Sequence, residues 1–256
     1  MLWRKQAKIS PKIRLQIAEI AVCQIKKTAS IPSILKHSVL SKSSKMTVKN
    51  QKLYKSIDEI CRKFEKEFDQ INPTRKSLLM QLSQYISSKI KENQAPKITV
   101  ICTHNSRRSH IAQLWLAVAA DYFQMPAIGT FSGGTEATAF NSRAVRALQN
   151  IGFEILTQTE KDNPLYQVSW KKNQQPYLAF SKKYDESPNP TEKFAAIMVC
   201  SEADAECPTV FGCDFRLALP FDDPKEFDET PLETAKYDER VRQIGREMLF
   251  VMSQVS

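Results

Sequence analysis

The segment Lys97-Ile98-Thr99-Val100-Ile101-Cys102-Thr103-His104-Asn105-Ser106-Arg107-Arg108-Ser109 constrains this chain more than any other. A short β-branched run ends in a cysteine, five residues separate it from Arg108-Ser109, and Ile111, Leu114, Trp115 and Val118 follow at helical spacing. The pattern reads as a strand, a tight loop and a helix start, with a thiol at the head of the loop. Backbone N–H groups of such a loop, with the helix N-terminus, form a cradle for an anion, here Thr103, His104, Asn105, Ser106, Arg107, Arg108 and Ser109. The same positive field is expected to favour thiolate over thiol at Cys102, holding a nucleophile beside an oxyanion. Arg108 can clamp that oxyanion through two parallel N–H donors, which lysine cannot do as well. The competing reading, a small buried cysteine at a strand end, accounts for neither the arginine nor the helix start.

Composition narrows the class. The longest uncharged apolar stretch, Leu114 to Ala120, is far too short to span a bilayer. Six cysteines lie scattered with no paired framework, so reduced thiols with reactive roles in the cytoplasm are expected rather than a disulfide-stapled secreted fold. The formal charge of +9 does not indicate nucleic acid: residues 1–45 hold ten Lys/Arg and one acid, which leaves the remainder neutral. Arg14 and Glu19 interrupt the best apolar stretch of this basic tail, so it is no secretory signal. Its Lys/Ser-rich, acid-poor composition also fits a transit peptide or a membrane-surface segment, but the plainer reading is a disordered tail or sequence upstream of a true start at Met46. A chain beginning at Met46 is expected to retain full activity, and a large loss of activity or stability in it would overturn that reading.

Two apolar helical runs, one through Leu53, Ile57, Ile60, Phe64 and Phe68 and the other through Leu78, Leu79, Leu82, Ile86 and Ile90, flank Asn72-Pro73. Residues 46–95 therefore read as a helical hairpin ahead of a catalytic domain at 96–256. In that domain strands are expected at Ile98–Ile101, Ala127–Phe131, Phe194–Val199 and Leu217–Leu219, and helices at Ser109–Phe123, Ser142–Gly152 and Leu232–Ser253. The alternation predicts an α/β fold, an open parallel sheet with helices on both faces. Residues 160–192 break the pattern and read as an inserted loop or hairpin.

In an open parallel sheet, active groups gather at the carboxyl ends of the strands. Cys102, Cys200 and the Asp222-Asp223-Pro224 run each follow an expected strand, so two thiols and a carboxylic acid should meet at one edge. Taken alone, the two aspartates are ordinary turn residues before a proline. A zinc site from Cys200, Cys207 and Cys213 lacks a closely spaced cysteine pair, and the histidines beyond the tail are His104 and His110. No metal or cofactor is expected.

Cys-x5-Arg-Ser after a strand resembles the phosphate loop of low-molecular-weight protein tyrosine phosphatases and of the thioredoxin-coupled arsenate reductases that share their fold. Phe221-Asp222-Asp223-Pro224 looks like the general-acid loop of the same superfamily, with Asp223 as the acid. The run Cys200-Ser201-Glu202-Ala203-Asp204-Ala205-Glu206-Cys207-Pro208 is similar to the Cys-x6-Cys segment of the reductases. Further matching positions are Asn105, which in the family shapes the loop, Ser109, which would hold the thiolate, and Ser132 and Gly133. The resemblance implies that Cys102 attacks arsenate, Cys200 attacks Cys102, and Cys207 leaves a Cys200–Cys207 disulfide for thioredoxin. The charged, helix-poor composition of that segment should let it partly unfold around the disulfide.

Three positions depart from the family. His104 stands where glycine is common, so strain is expected there. Arg107 replaces a common cysteine, and Gln113 stands where the reductases carry a glutamate that helps bind potassium. Two other functions fit these residues. One is a phosphatase hydrolysing phosphotyrosine-type monoesters through a Cys102 phosphoenzyme. The other is a non-catalytic oxyanion or redox sensor signalling through the helices at 50–92. No role follows for Cys61 or Cys213, and Cys23 lies in the tail.

Overall fold

The apolar run that ends at Cys102 forms a central strand in which every residue after Lys97 is buried. The computed structural model describes residues 52–256 except 160, 174, 207 and 208, so the basic stretch 1–45 and the sequence-expected relay thiol Cys207 lie outside the described residues. In chain order the elements are α1 (Lys55–Glu65), α2 (Pro73–Lys91), β1 (Lys97–Cys102), α3 (Arg108–Tyr122), β2 (Gly129–Gly134), α4 (Ser142–Ile151), β3 (Glu154–Thr157), β4 (Tyr166–Ser169), β5 (Tyr177–Ala179), β6 (Phe194–Met198), α5 (Ser201–Glu206), β7 (Cys213–Ala218) and α6 (Glu233–Ser253). Short 3-10 turns lie at Phe68–Gln70 and Pro224–Phe227.

Four strands form a parallel sheet in the order β2-β1-β6-β7. The inner strands β1 and β6 read as unbroken apolar runs because both of their faces are covered. The chain leaves β1 toward β2 on one side and later returns to β6 on the other, so the strand order reverses beside β1. Right-handed crossovers then place α3 and α5 on opposite faces, and the carboxyl ends of β1 and β6 are where sheets of this kind leave a crevice. Cys102 ends β1 and Cys200 follows β6, which puts both thiols at those ends.

Twelve of the fifteen residues of α3 are buried, because α6 covers the helix on the side away from the sheet. The crossing is close at Gly245, where a Cβ would stand 2.6 Å from the Phe64 ring and 2.8 Å from Trp115. Any side chain there would push α6 off both aromatics, which themselves meet at 5.4 Å. Through Phe64 and Trp115, α1 joins the same core as the sheet; Ile57, Cys61, Leu79, Leu82 and Ile86 are buried in it as well.

Two short elements differ from the sequence expectation, and the segment read as a loop or hairpin takes a definite form. Residues 160–192 hold two strands, β4 and β5; β4 pairs antiparallel with β3 and β5 with β4, in a small meander. Strands of three or four residues are too short to print a period in the sequence. The last parallel strand runs over Cys213–Ala218 rather than Leu217–Leu219, its first four residues being incompletely buried at the sheet edge and polar in part. The segment after Cys200, expected to be helix-poor, is the helix α5. Acidic residues in its first turn, Glu202 and Asp204, favour that helix through its dipole.

Candidate active site

The loop between β1 and α3 is shaped by Asn105. Its φ of 44° makes it, and not His104, the left-handed residue of the loop. Asparagine takes this conformation more readily than histidine because its short amide can bond locally, so the strain expected at His104 does not arise. The Asn105 amide is engaged at both ends: Oδ1 accepts the Lys182 backbone N–H at 2.9 Å, and Nδ2 donates to Ser109 Oγ at 2.9 Å. Ser109 Oγ in turn lies 3.1 Å from Cys102 Sγ. A buried chain of polar contacts thus runs from the meander side of the molecule through Asn105 and Ser109 to the thiol. The His104 carbonyl accepts Ser181 Oγ at 3.0 Å and Thr138 Oγ1 at 3.1 Å, and its imidazole stays at the surface facing Glu136. Ser106 is buried, with its carbonyl accepting Asn141 N–H at 2.9 Å. Gly134 closes the loop from the next strand; a Cβ there would stand 2.5 Å from the Thr103 carbonyl and 2.7 Å from Asn105 N.

The two loop arginines go to different places. Arg108 is buried and donates from Nη1 to the Phe221 carbonyl at 2.8 Å and from Nη2 to Asp223 Oδ2 at 2.7 Å. Asp223 Oδ1 accepts Lys225 N–H at 3.1 Å, which fixes the carboxylate as the cap of the following 3-10 turn. Arg108 and Asp223, 115 residues apart, therefore share one ion pair. Asp222 turns away to Arg240 at 3.0 Å. The Arg107 guanidinium also turns away, to the Tyr237 hydroxyl at 2.8 Å and to Asp228 at 3.4 Å. The Tyr237 hydroxyl donates in turn to Asp228 Oδ1 at 2.8 Å. What Arg107 can offer an oxyanion is its backbone N–H, not the extra side-chain charge its sequence position suggests.

Cys200 is fully buried behind the loop. Its Sγ accepts the backbone N–H of Thr103 at 3.3 Å and of Ala203 at 3.4 Å, and lies 3.4 Å from Thr103 Oγ1. Burial pushes the Cys200 thiol up, the Thr103 and Ala203 hydrogen bonds and Arg108 oppose this, and Cys102 adds to it. The effect of Cys102 on Cys200 fits the backbone register, in which Val199 N–H donates to the Ile101 carbonyl at 2.8 Å. Cys61 lies in the core, where burial pushes its thiol up to about 12. Cys213 pairs in register with Phe194 at the opposite end of the sheet from the crevice.

Among the described residues, no group of three or more His, Cys, Asp or Glu could hold a metal ion. Gln113 does not rebuild a potassium site. It carries no negative charge, and its amide N–H groups face the Thr130 carbonyl at 3.0 Å and the Tyr177 hydroxyl, donors where a cation needs acceptors. Among the described residues no helix is long and apolar enough to cross a membrane.

The loop's supports in the segment after β5, Ser181 and Lys182, carry no sequence motif and went unread. So did Lys182's burial: the side chain is 4 % exposed, with its ammonium 3.4 Å from the Phe180 carbonyl and 4.9 Å from the centre of the Phe180 ring.

No sequence profile of a known family matches the chain. It is 31% identical over 136 residues to the arsenate reductase of Brevibacillus brevis, a match covering 52% of this chain and 81% of that protein. It is 28% identical over 131 residues to arsenate reductase 2 of Staphylococcus epidermidis, covering 50% and 77% of the two chains. Among solved structures, the low-molecular-weight phosphotyrosine phosphatase of Vibrio cholerae O395 aligns with 62% of this chain and 95% of its own, at a TM-score of 0.42 and 14% identity. A low-molecular-weight protein tyrosine phosphatase of T. tengcongensis aligns with 62% of this chain and 99% of its own, at 0.40 and 12%.

Proposed function

Because the chain belongs to the superfamily of arsenate reductases and low-molecular-weight protein tyrosine phosphatases, we propose that it reduces arsenate to arsenite through Cys102, Cys200 and Cys207, with thioredoxin as the reductant. The observation that carries this reading is the Cys200 thiol bonded to the N–H of Thr103, the residue next to Cys102. Ester hydrolysis needs no second thiol at that place, whereas reduction does.

The Cys102 thiolate attacks arsenic(V) and an As–O bond breaks, with Asp223 supplying the proton that lets the oxygen leave as water. Arg108 and the loop N–H groups hold the remaining oxygens. The Cys200 thiolate then attacks Cys102 Sγ. The S–As bonding pair stays on arsenic, which departs as arsenite, and a Cys102–Cys200 disulfide takes its place. Cys207 attacks Cys200, freeing Cys102 as thiolate, and the dithiol of thioredoxin reduces the resulting Cys200–Cys207 disulfide.

The third step has a structural requirement. A disulfide needs its Cα atoms within roughly 7 Å, and the six residues of helix α5, Ser201–Glu206, fill the segment between the two cysteines, rising about 1.5 Å each. The relay as proposed calls for this helix to unwind as the Cys200–Cys207 bond forms. Its lack of Gly and Pro gives no ready hinge, but six residues make only a turn and a half, and so short a helix has little stability of its own.

The test is arsenate-dependent NADPH oxidation with thioredoxin and thioredoxin reductase. Cys207→Ser is expected to complete at most one turnover; sustained coupled turnover by that variant would sink the relay. The Arg108–Asp223 pair favours a second reading, hydrolysis of an aryl phosphate through a Cys102 phosphoenzyme, since clamp and acid serve either oxyanion. Steady hydrolysis without arsenate turnover would establish it.

A further inference from the structure

Helix α2 lies ahead of the segment that carries the catalytic motifs, yet one of its side chains reaches the acid loop. The Asn72-Pro73 break between the two apolar runs is a helix start: Asn72 Oδ1 accepts Thr74 N–H at 2.9 Å, and proline fills the first helical position. This cap sets the helix register and puts Arg75 in the first turn. Its Nε donates to Glu247 Oε2 at 2.8 Å, its Nη2 lies 3.4 Å from the Leu219 carbonyl, and its guanidinium stacks 4.5 Å from the centre of the Phe221 ring. Glu247, on α6, is 3 % exposed, and its other oxygen accepts Gln243 Nε2 at 3.1 Å.

We propose that Arg75 is a positioning residue for Asp223, holding the segment 219–223 so that the acid and the Arg108 clamp face the same oxyanion. The contacts form one continuous path. Phe221, on whose ring Arg75 lies, presents its carbonyl to Arg108 Nη1 at 2.8 Å, and two residues later Asp223 meets Nη2 of the same guanidinium at 2.7 Å. On the strand side the segment is held by backbone bonds from Leu219 N–H to Met198 and from Phe221 N–H to Val199. Among the described residues no backbone bond from the sheet reaches past Phe221, and the Arg75 guanidinium over the ring adds a side-chain hold at that point. Only a planar, delocalised cation can stack on the ring and also direct N–H groups sideways to a carboxylate and a carbonyl. Asp222 is tied back to α6 through Arg240, so the two aspartates are steered apart. The proposal rests on the reading of Asp223 as the general acid.

A double-mutant cycle separates positioning from general stability. Arg75→Met is expected to lower kcat by between about 10- and 100-fold with little change in KM, and to have no further effect in an Asp223→Asn background. The cycle is run with arsenate and with an aryl phosphate, on variants whose thermal unfolding is recorded alongside. Glu247→Gln keeps the side-chain volume, removes the charge partner of Arg75, and carries the same cycle if Arg75→Met does not fold. Equal losses in both backgrounds would overturn the proposal while leaving the acid reading in place. Wild-type turnover in Asp223→Asn alone would overturn the acid reading and the proposal with it.

Discussion

Replacing Cys200 by serine is expected to end arsenate turnover while leaving hydrolysis of an aryl phosphate within a few-fold of wild type. The first half follows from chemistry. A hydroxyl at position 200 cannot attack Cys102 Sγ to form a disulfide, so nothing displaces arsenic with its bonding pair and the Cys102–arsenic adduct has no reductive exit. Loss of a nucleophile of this kind lowers turnover on the order of 10³-fold or more. The second half follows from geometry. A serine Oγ can still accept the Thr103 and Ala203 N–H groups that Cys200 Sγ accepts at 3.3 and 3.4 Å, so the loop keeps its support. Thiol titration gives an independent reading. Wild type should lose two thiols for each arsenite released when no reductant is present, and Cys200→Ser none. If the variant lost both activities together, Cys200 would be a prop of the loop rather than a redox centre.

Lys182→Met should stabilise the protein near and below neutral pH and remove a slope that wild type shows above it. Burial pushes the Lys182 ammonium down from 10.5 to about 7, partly opposed by Glu186. Between those two pH values the unfolded chain holds a proton that the folded chain does not, so wild-type stability rises with pH across that window. Above about 10.5 the penalty has gone; below 7 it is present in full, of order 5 kcal/mol at roughly 1.4 kcal/mol per pKa unit. Methionine keeps the apolar stem and the backbone N–H that holds Asn105, and removes the ammonium with its contacts to the Phe180 carbonyl and ring. Denaturant unfolding of both proteins from pH 6 to 9 measures the difference directly. A stability difference that does not vary with pH would show that the Lys182 charge is solvated and that the burial argument fails.

How much of this was legible in the sequence depends on how far apart the partners lie. The strand ending at Cys102, the five-residue loop and the helix from Arg108 are one contiguous pattern, since strand period, turn length and helix period are all local properties. The convergence of Cys102, Cys200 and Asp223 needed one further rule, that a parallel sheet brings strand ends to one edge. In the structure Cys200 bonds to the N–H of Thr103, beside Cys102, and Asp223 pairs with Arg108 at the other end of the same loop. The left-handed residue was misplaced by one position, because backbone conformation in a tight loop is decided by what its side chains bond to. Asn105 has Lys182 and Ser109 as partners, and Lys182 is 77 residues away.

The sequence by itself determined the Cys102-to-Arg108 loop, the parallel α/β frame and the nearness of a second thiol, because each is written in spacing along a single stretch or a single sheet edge. Only the tertiary structure decided what the two loop arginines pair with: Asp228 and Tyr237 hold the Arg107 guanidinium, and Asp223 holds that of Arg108. It also decided that Arg75 stands over Phe221 and pairs with Glu247, 172 residues on, and that a lysine lies buried behind the loop. Such pairings are set by packing among elements distant in the chain, and neither partner's local sequence carries a trace of the other.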